Sequence, residues 1–247
     1  MPTLDPGRSF GAEADRYDRA RPSYPAAMLE RVIDASPGPR VLDVGCGTGI
    51  SARQFAASGC QVLGVEVDPR MADVARRRGL DVEVSAFEDW DPAGRRFDTV
   101  VAGQTWHWID PVAGAAKARE ALRPGGLIAL FWNVFQPPPE ILAAFSGPFA
   151  EIWKRPVLHT YSTMFSMATN GIHEAGGFAD AEQWRFEWER PYTRAEWLDQ
   201  LPTHGGYPTL SQAQQADLLS TSGAAIDALG GSFTMPYTTV VVAARRD

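Results

Sequence analysis

Apolar positions in the first half of the chain fall in short runs separated by longer stretches of helical spacing. The runs at 40–45 (RVLDVG), 61–67 (QVLGVEV), 81–86 (DVEVSA), 97–103 (FDTVVAG) and 126–132 (GLIALFW) read as strands. Their near-continuous apolar character suits strands covered on both faces. Between them, 24–36, 49–58, 69–79 and 111–122 carry helical patterns. Pro25 and Pro111 sit near helix starts, where a missing N–H costs little. "LRPGG" at 122–126 ends a helix and turns into the next strand. Strands alternating with helices of this length predict βαβ crossovers and a parallel sheet.

After Trp132 the rhythm changes. "NVFQPPPE" is expected to be irregular, because its prolines remove donors and fix φ. Residues 140–155 read as helical; 156–168 read as irregular and rich in hydroxyl and aromatic groups. At 181–190 apolar and polar residues alternate, so Trp184, Phe186 and Trp188 share one face of a half-buried strand. Helical patterns follow at 193–201 and 210–229, and a β-branched strand at 237–245 closes the chain. Trp153 and Trp197 belong to a lid or to the core. There is no internal repeat.

Composition narrows the classes. A chain of 247 residues fits one large α/β domain, or a domain with a lid. Only a few N-terminal residues read as disordered. A net charge of -7 argues against a nucleic-acid binder, which needs basic surface. Cys46 and Cys60 have no CxxC partner, so no metal site is expected and free thiols in a reducing cytosol are the simplest state. No apolar run of signal length follows Met1, and the stretch at 127–132 is far too short to span a membrane. The expectation is a cytoplasmic protein without membrane or nucleic-acid partners.

The chemistry centres on "VLDVGCGTG", residues 41–49. Asp43 puts a carboxylate at a strand end; Gly45, Gly47 and Gly49 follow as a bare turn, and a helix starts near Gly49. Parallel sheets bind ligands at the carboxyl ends of their strands, and a helix N-terminus there offers free N–H groups. The third glycine comes one residue earlier than in GxGxxG. With an acid two residues before the first glycine, this loop suits a bulky cationic ligand better than a pyrophosphate. Glu66 ends the second strand about twenty residues on, placed to accept both hydroxyls of a ribose.

This combination resembles the class I S-adenosylmethionine-dependent methyltransferases. The resemblance rests on "VLDVGCGTG", "VLGVEVDP", "SAFEDW", "FDTVVAGQTWHWID" and "LRPGGLIALF". "ADRYDRARPSYP" (14–25), "QTWHWID" (104–110) and "LPTHGGYPTL" (201–210) look most similar to the small-molecule group that includes trans-aconitate methyltransferases. The resemblance implies a single α/β domain over 1–247. Its fold would be a doubly wound, Rossmann-like sheet of seven strands, the last antiparallel, with helical lid insertions at 134–170 and 191–230. It implies S-adenosyl-L-methionine as cofactor, with Gly45, Cys46, Gly47 and Gly49 beneath its methionyl part and Asp43 ordering that loop. Glu66 is then the ribose clamp, Val67 lies against the adenine, and Ala86 and Phe87 border its other edge. Ser85 stands where similar proteins often carry an acid, and Glu88 is the candidate substitute. Gln104 reaches the methionine end. Tyr17 and Arg21 cover the cofactor, Arg21 being free to pair with a carboxylate of cofactor or substrate.

Methyl transfer from a sulfonium is a direct displacement, so the site must align the reactants and exclude water. An aromatic chamber suits a positive charge that disappears during reaction. Trp106 and Trp108 are candidate walls, with His107 between them as the candidate catalytic base or orienting group. Trp132 and Asn133 border the same crevice, and His204 and Tyr207 lie in a loop over the substrate. The reading is transfer to a small molecule, with oxygen favoured as acceptor over nitrogen, sulfur or carbon. Cyclisation or elimination on the same cofactor is the runner-up. A nicotinamide oxidoreductase is disfavoured by the early third glycine, and a nucleic-acid methyltransferase by the acidic balance and the lack of an "NPPY"-like tetrapeptide.

Overall fold

The computed structural model describes residues 11–149 and 157–247. Its strands are β1 (Arg40–Val44), β2 (Gln61–Glu66), β3 (Asp81–Val84), β4 (Phe97–Gly103), β5 (Leu122–Phe135), β6 (Glu182–Thr193) and β7 (Ser232–Arg245). They form one sheet in the order β3-β2-β1-β4-β5-β7-β6. β1 to β5 run parallel, and β7 inserts antiparallel between β5 and β6. The sheet is therefore the doubly wound, seven-stranded one expected, with the last strand antiparallel. The helices are α1 (Ala14–Ala20), α2 (Ala26–Ala35), α3 (Ile50–Ala57), α4 (Pro69–Arg77), α5 (Pro111–Ala121), α6 (Pro139–Phe149), α7 (Val157–Ala175), α8 (Arg194–Gln200) and α9 (Gln212–Ala228).

Successive strand residues point to opposite faces, and both faces here are covered. Val41, Val101, Ala129 and Phe131 pack with Met28 and Val32 of α2 and Phe55 of α3. Their neighbours Leu42, Val100, Ile128 and Leu130 pack on the other side, with Ala118 of α5 and Phe165 and Ile172 of α7. Continuous apolar runs are the consequence. Asp68–Pro69 and Asp110–Pro111 start α4 and α5: Asp68 accepts the Arg70 N–H, Asp110 those of Val112 and Ala113, and the proline gives up none that is needed.

Residues 157–168, expected to be irregular, belong to α7. Phe165, Ala168 and Ile172 recur at helical spacing and bury in the main core, while Ser162, Thr163 and Ser166 are exposed. Hydroxyl-rich composition masked that stripe. "NVFQPPPE" also departs from expectation. Asn133, Val134 and Phe135 continue β5, because β7 pairs with it from Leu127 through Phe135, which lies opposite Tyr237; the prolines then end the strand and lead into α6. The helical reading of 140–155 is met through Phe149. Residues 150–155, including Trp153, and the N-terminal residues 1–10 lie outside the described residues.

β5, β6 and β7 outrun the other strands. Their far ends carry a separate apolar cluster of Phe135, Ile141, Tyr192, Trp197, Leu201, Leu218, Ile226, Phe233, Met235 and Tyr237, built with α6, α8 and α9. Capping boxes start both α8 (Thr193 with Glu196) and α9 (Ser211 with Gln214), fixing where each leaves the sheet. β6 is an edge strand whose Trp184, Phe186 and Trp188 are half-buried, while Arg185, Glu187 and Glu189 are exposed. Among the described residues, no helix is long and apolar enough to cross a membrane.

Candidate functional site

The glycine turn follows β1 directly. Gly45, Gly47 and Gly49 have φ of 61°, 58° and 84°, the left-handed region that a Cβ disfavours. At Gly45 a Cβ would also strike the Thr105 side chain, and at Gly49 it would strike Leu80. The N–H groups of Gly45 and Cys46 both donate to the Val65 carbonyl, at 2.7 and 3.2 Å. The Thr105 hydroxyl lies 3.0 Å from the carbonyls of both Gly45 and Gly103, tying the turn to the end of β4. The Cys46 side chain points away, into a small cluster with Ala72, Ala75 and Val82. Its thiol also lies 3.8 Å from the Gly47 carbonyl.

Two buried carboxylates flank this turn. Asp43 is fully buried; its Oδ2 accepts from the Ser51 hydroxyl at 2.7 Å, and its Oδ1 has no partner. Burial, aided by the charge of Glu66, pushes its carboxyl up to about 7 against the pull of Ser51. Glu66 is 6% exposed and accepts the N–H groups of Gly47 (2.8 Å) and Asp68 (2.9 Å) on separate oxygens. Burial raises its carboxyl too. Among the described residues neither acid forms an ion pair with a basic side chain. Val67 and Ala86 are half-buried beside Glu66. The Ser85 hydroxyl is used locally, donating to the Ala86 carbonyl, and Glu88 is exposed. The Phe87 ring is 4% exposed and packs with Trp90 and Trp106 in the main core.

The end of β4 meets the end of β5. Gln104 has φ of 57°, rare for a residue with a side chain. Its N–H donates to the Phe131 carbonyl (2.9 Å) and its Nε2 to the Asn133 carbonyl (3.2 Å). The Asn133 carbonyl also accepts from the Tyr161 hydroxyl at 3.2 Å. The buried Asn133 side chain accepts from Thr239 (2.6 Å) and donates to the Ser23 carbonyl (3.3 Å). Gln104, Asn133 and Tyr161 thus form one polar cluster above the strand ends. Burial pushes the Tyr161 phenol up to about 12, so it stands as a donor at neutral pH.

The tryptophans divide between core and surface. Trp106, expected as a chamber wall, is 2% exposed and sits in the core, in the groove that Gly114 leaves on α5. Trp132 is likewise in the core, 5.3 Å from Phe165, because β5 turns that position toward α7. Trp108 goes the other way: it is 47% exposed, its ring 4.5 Å from that of His107. His107 is half-buried, its Nδ1 buried without a partner, and burial lowers its pKa to about 4.

Tyr17 and Arg21 do come together. The Arg21 guanidinium lies 5.1 Å from the Tyr17 ring centroid, and its Nη2 donates to the Thr203 carbonyl at 2.6 Å. His204 is buried between Phe135 and Trp197, its Nδ1 3.3 Å from the Leu201 carbonyl. Burial, then the charge of Arg21, hold its pKa down near about 3. Tyr207 is half-buried against the apolar cluster at the far ends of β5, β6 and β7. Sequence reasoning missed Thr105, Tyr24 and Tyr161. Tyr24 lay within the quoted "RPSYP"; its hydroxyl would stand 2.6 Å from a Cβ on Gly103. Among the described residues, no group of three or more His, Cys, Asp or Glu could hold a metal ion.

Comparisons fit this architecture. Residues 41–126 match the family model described as a methyltransferase domain. An uncharacterized methyltransferase of Mycobacterium bovis is 36% identical over 132 residues, 52% of this chain and 54% of the relative. The chain thus spans about half the length of the curated relatives it matches. A solved structure of a candidate type II methyltransferase from Anaeromyxobacter dehalogenans has a TM-score of 0.68 at 23% identity, covering 91% of this chain and 97% of that one. Phosphoethanolamine N-methyltransferase 2 of Haemonchus contortus was solved with phosphomonomethylethanolamine and S-adenosylhomocysteine. It has a TM-score of 0.56 at 18% identity, covering 98% and 59%. Fold and matched segment agree: the seven-stranded sheet is similar in fold to solved methyltransferase structures, and residues 41–126 match the methyltransferase domain model.

Proposed function

We propose that this protein transfers a methyl group from S-adenosyl-L-methionine to a small molecule. One observation carries the reading. Two buried carboxylates, Asp43 and Glu66, face one glycine turn, and neither has a cationic partner among the described residues. Burying unpaired acids is costly, so the pair fits a ligand that brings positive charge and a diol. Glu66 already accepts two backbone N–H groups and keeps lone pairs for ribose hydroxyls. The orphan Oδ1 of Asp43 suits a cationic ligand. When bound, the cofactor supplies an electrophilic methyl on a sulfonium.

The chain's own groups then position the acceptor. Gln104, Asn133 and Tyr161 offer directed hydrogen bonds above the strand ends, and Gln104 is held there by a costly backbone conformation. His107, neutral above about pH 4 and with a partnerless Nδ1, is the group we assign to take the acceptor's proton. The cover we assign to exclude water is built by α6, α8 and α9 over the far ends of β5, β6 and β7, while α7, expected as part of a lid, packs into the main core. Oxygen is the acceptor we infer, on the resemblance to the trans-aconitate group. Two free cysteines suit a reducing cytoplasm. The test is calorimetry with S-adenosylmethionine and S-adenosylhomocysteine on wild type and Glu66→Ala. Micromolar binding that the substitution weakens at least tenfold supports the reading; absent binding to wild type refutes it.

A further inference from the structure

α1 is a seven-residue helix, far too short to be stable on its own. Its apolar anchorage among the described residues is slight: Ala14, with Tyr17 beside it, packs on Met71 and Val74 of α4. Its other ties are polar and run in two directions. Toward the glycine turn, the Asp18 side chain is 3% exposed and held by Arg53 of α3 (2.7 Å) and by Arg78 at the end of α4 (2.9 Å). Arg53 also donates to the Thr48 carbonyl inside the turn, at 2.8 Å. Toward the far ends of the long strands, Arg19 grips both oxygens of Asp199 on α8 at 3.0 Å, and Arg16 reaches the same carboxylate at 3.2 Å. Arg21, just past α1, donates to the Thr203 carbonyl, just past α8.

The glycine turn and α8 thus share one neighbour, reached from each side through a single carboxylate. Ion pairs between half-exposed side chains are weak and screened by salt. An element tied chiefly by them belongs to the part of a fold that opens first. The chain that follows is pinned: the Gln54 side chain bonds both the N–H (3.0 Å) and the carbonyl (2.8 Å) of Tyr24. Pro22 and Pro25 stiffen that stretch. Arg21, in extended conformation between helix and pin, is where α1 pivots.

We propose that α1 is a strap that couples the glycine turn to α8, closing on both together. A ligand that orders the turn fixes Thr48 and Arg53, holds α1 through Asp18 and so fastens α8 through Asp199; by linkage, whatever fastens α8 tightens the turn. The proposal rests on the methyl-transfer reading only for which ligand seats on the turn. Hydrogen exchange of the full chain without ligand, read by mass spectrometry, tests it on wild type, Asp18→Asn, Arg78→Gln and Asp73→Asn. Among the described residues, neither Asp18 nor Arg78 is bonded to α8. Asp73 is exposed and paired within α4 to Arg76, so it controls for lost charge. The expected result is exchange at least fivefold faster at 14–21 and also at 194–200 in Asp18→Asn and Arg78→Gln, with Asp73→Asn like wild type. Faster exchange at 14–21 alone, no change at either segment, or a rise that Asp73→Asn shares overturns the strap. The Arg78 side chain is 57% exposed, so that variant decides the matter even where Asp18→Asn does not fold.

S-adenosylhomocysteine then separates the strap from the function. Bound to wild type, it should slow exchange at both 14–21 and 194–200; bound to Asp199→Asn, it should slow 14–21 and leave 194–200 unchanged. No slowing at 194–200 in wild type, or slowing there that survives Asp199→Asn, overturns the strap. Protein that shows the ligand-free coupling but binds no nucleoside keeps the strap and removes the methyl-transfer reading.

Discussion

Asp43→Asn isolates what a buried, half-satisfied acid does to the empty protein. The carboxyl is fully buried, has an ordinary value of 3.8 and sits near about 7 in the fold. Between those values the native state keeps a proton that the unfolded chain has released. Stability therefore falls as pH rises through this window, and the whole penalty is present above pH 7. Three units at 1.36 kcal/mol each put the penalty on the order of 4 kcal/mol. Asparagine has nearly the shape of the protonated acid and does not titrate. Urea unfolding of wild type and Asp43→Asn from pH 5 to 8.5 measures the difference. The variant should already lead by roughly 1–2 kcal/mol at pH 5, because the unfolded chain has released its proton above 3.8, and the lead should grow by a further ~2–3 kcal/mol by pH 8.5. The same variant should bind S-adenosylmethionine at least tenfold more weakly, since the cationic ligand loses its counter-charge. A variant less stable than wild type at pH 8.5 would refute the reasoning, by showing that the carboxylate is already compensated.

Other substitutions probe the neighbouring contacts. Glu66→Gln leaves one backbone N–H facing an amide donor; losing one charge-assisted bond, worth about 1.5–3 kcal/mol, should weaken S-adenosylhomocysteine roughly 10- to 150-fold by calorimetry. Gly45→Ala combines an unfavourable φ with a clash at Thr105 and should lower stability by about 2–4 kcal/mol; Thr105→Ser in the same chain should return part of it in denaturant unfolding. His107→Gln should cut turnover while leaving nucleoside affinity within twofold. If His107 is the base, the acid limb of the wild-type rate profile should lie near pH 4 and be absent in the variant, because its neutral form persists down to its lowered pKa.

The sheet was legible because its strands are buried on both faces. Val41 and Leu42 belong to different cores, so successive positions are apolar and the run is nearly continuous. The glycine turn and Glu66 were legible because their backbone demands admit few residues. What stayed hidden depended on partners distant in sequence. The stripe of Phe165, Ala168 and Ile172 in α7 was obscured by hydroxyl-rich neighbours. Trp106 read as a chamber wall from its place after β4, and Trp132 as bordering the same crevice from its place in β5, but only the packing of α5 and α7 shows that both turn inward. Thr105 and Tyr161 act through carbonyls of other segments, and composition carries no trace of that.

One edge of the sheet bears on how the molecule behaves in a crowd. β6 leaves unpaired backbone groups along a long border, the kind of template on which another chain can add itself. Arg185, Glu187 and Glu189 stud its outer surface, and Pro191 withholds an N–H near its end. An approaching strand would have to desolvate those charges. Concentrated solutions should accordingly resist fibrous self-association, and neutralising this border would be the shortest route to making the protein sticky.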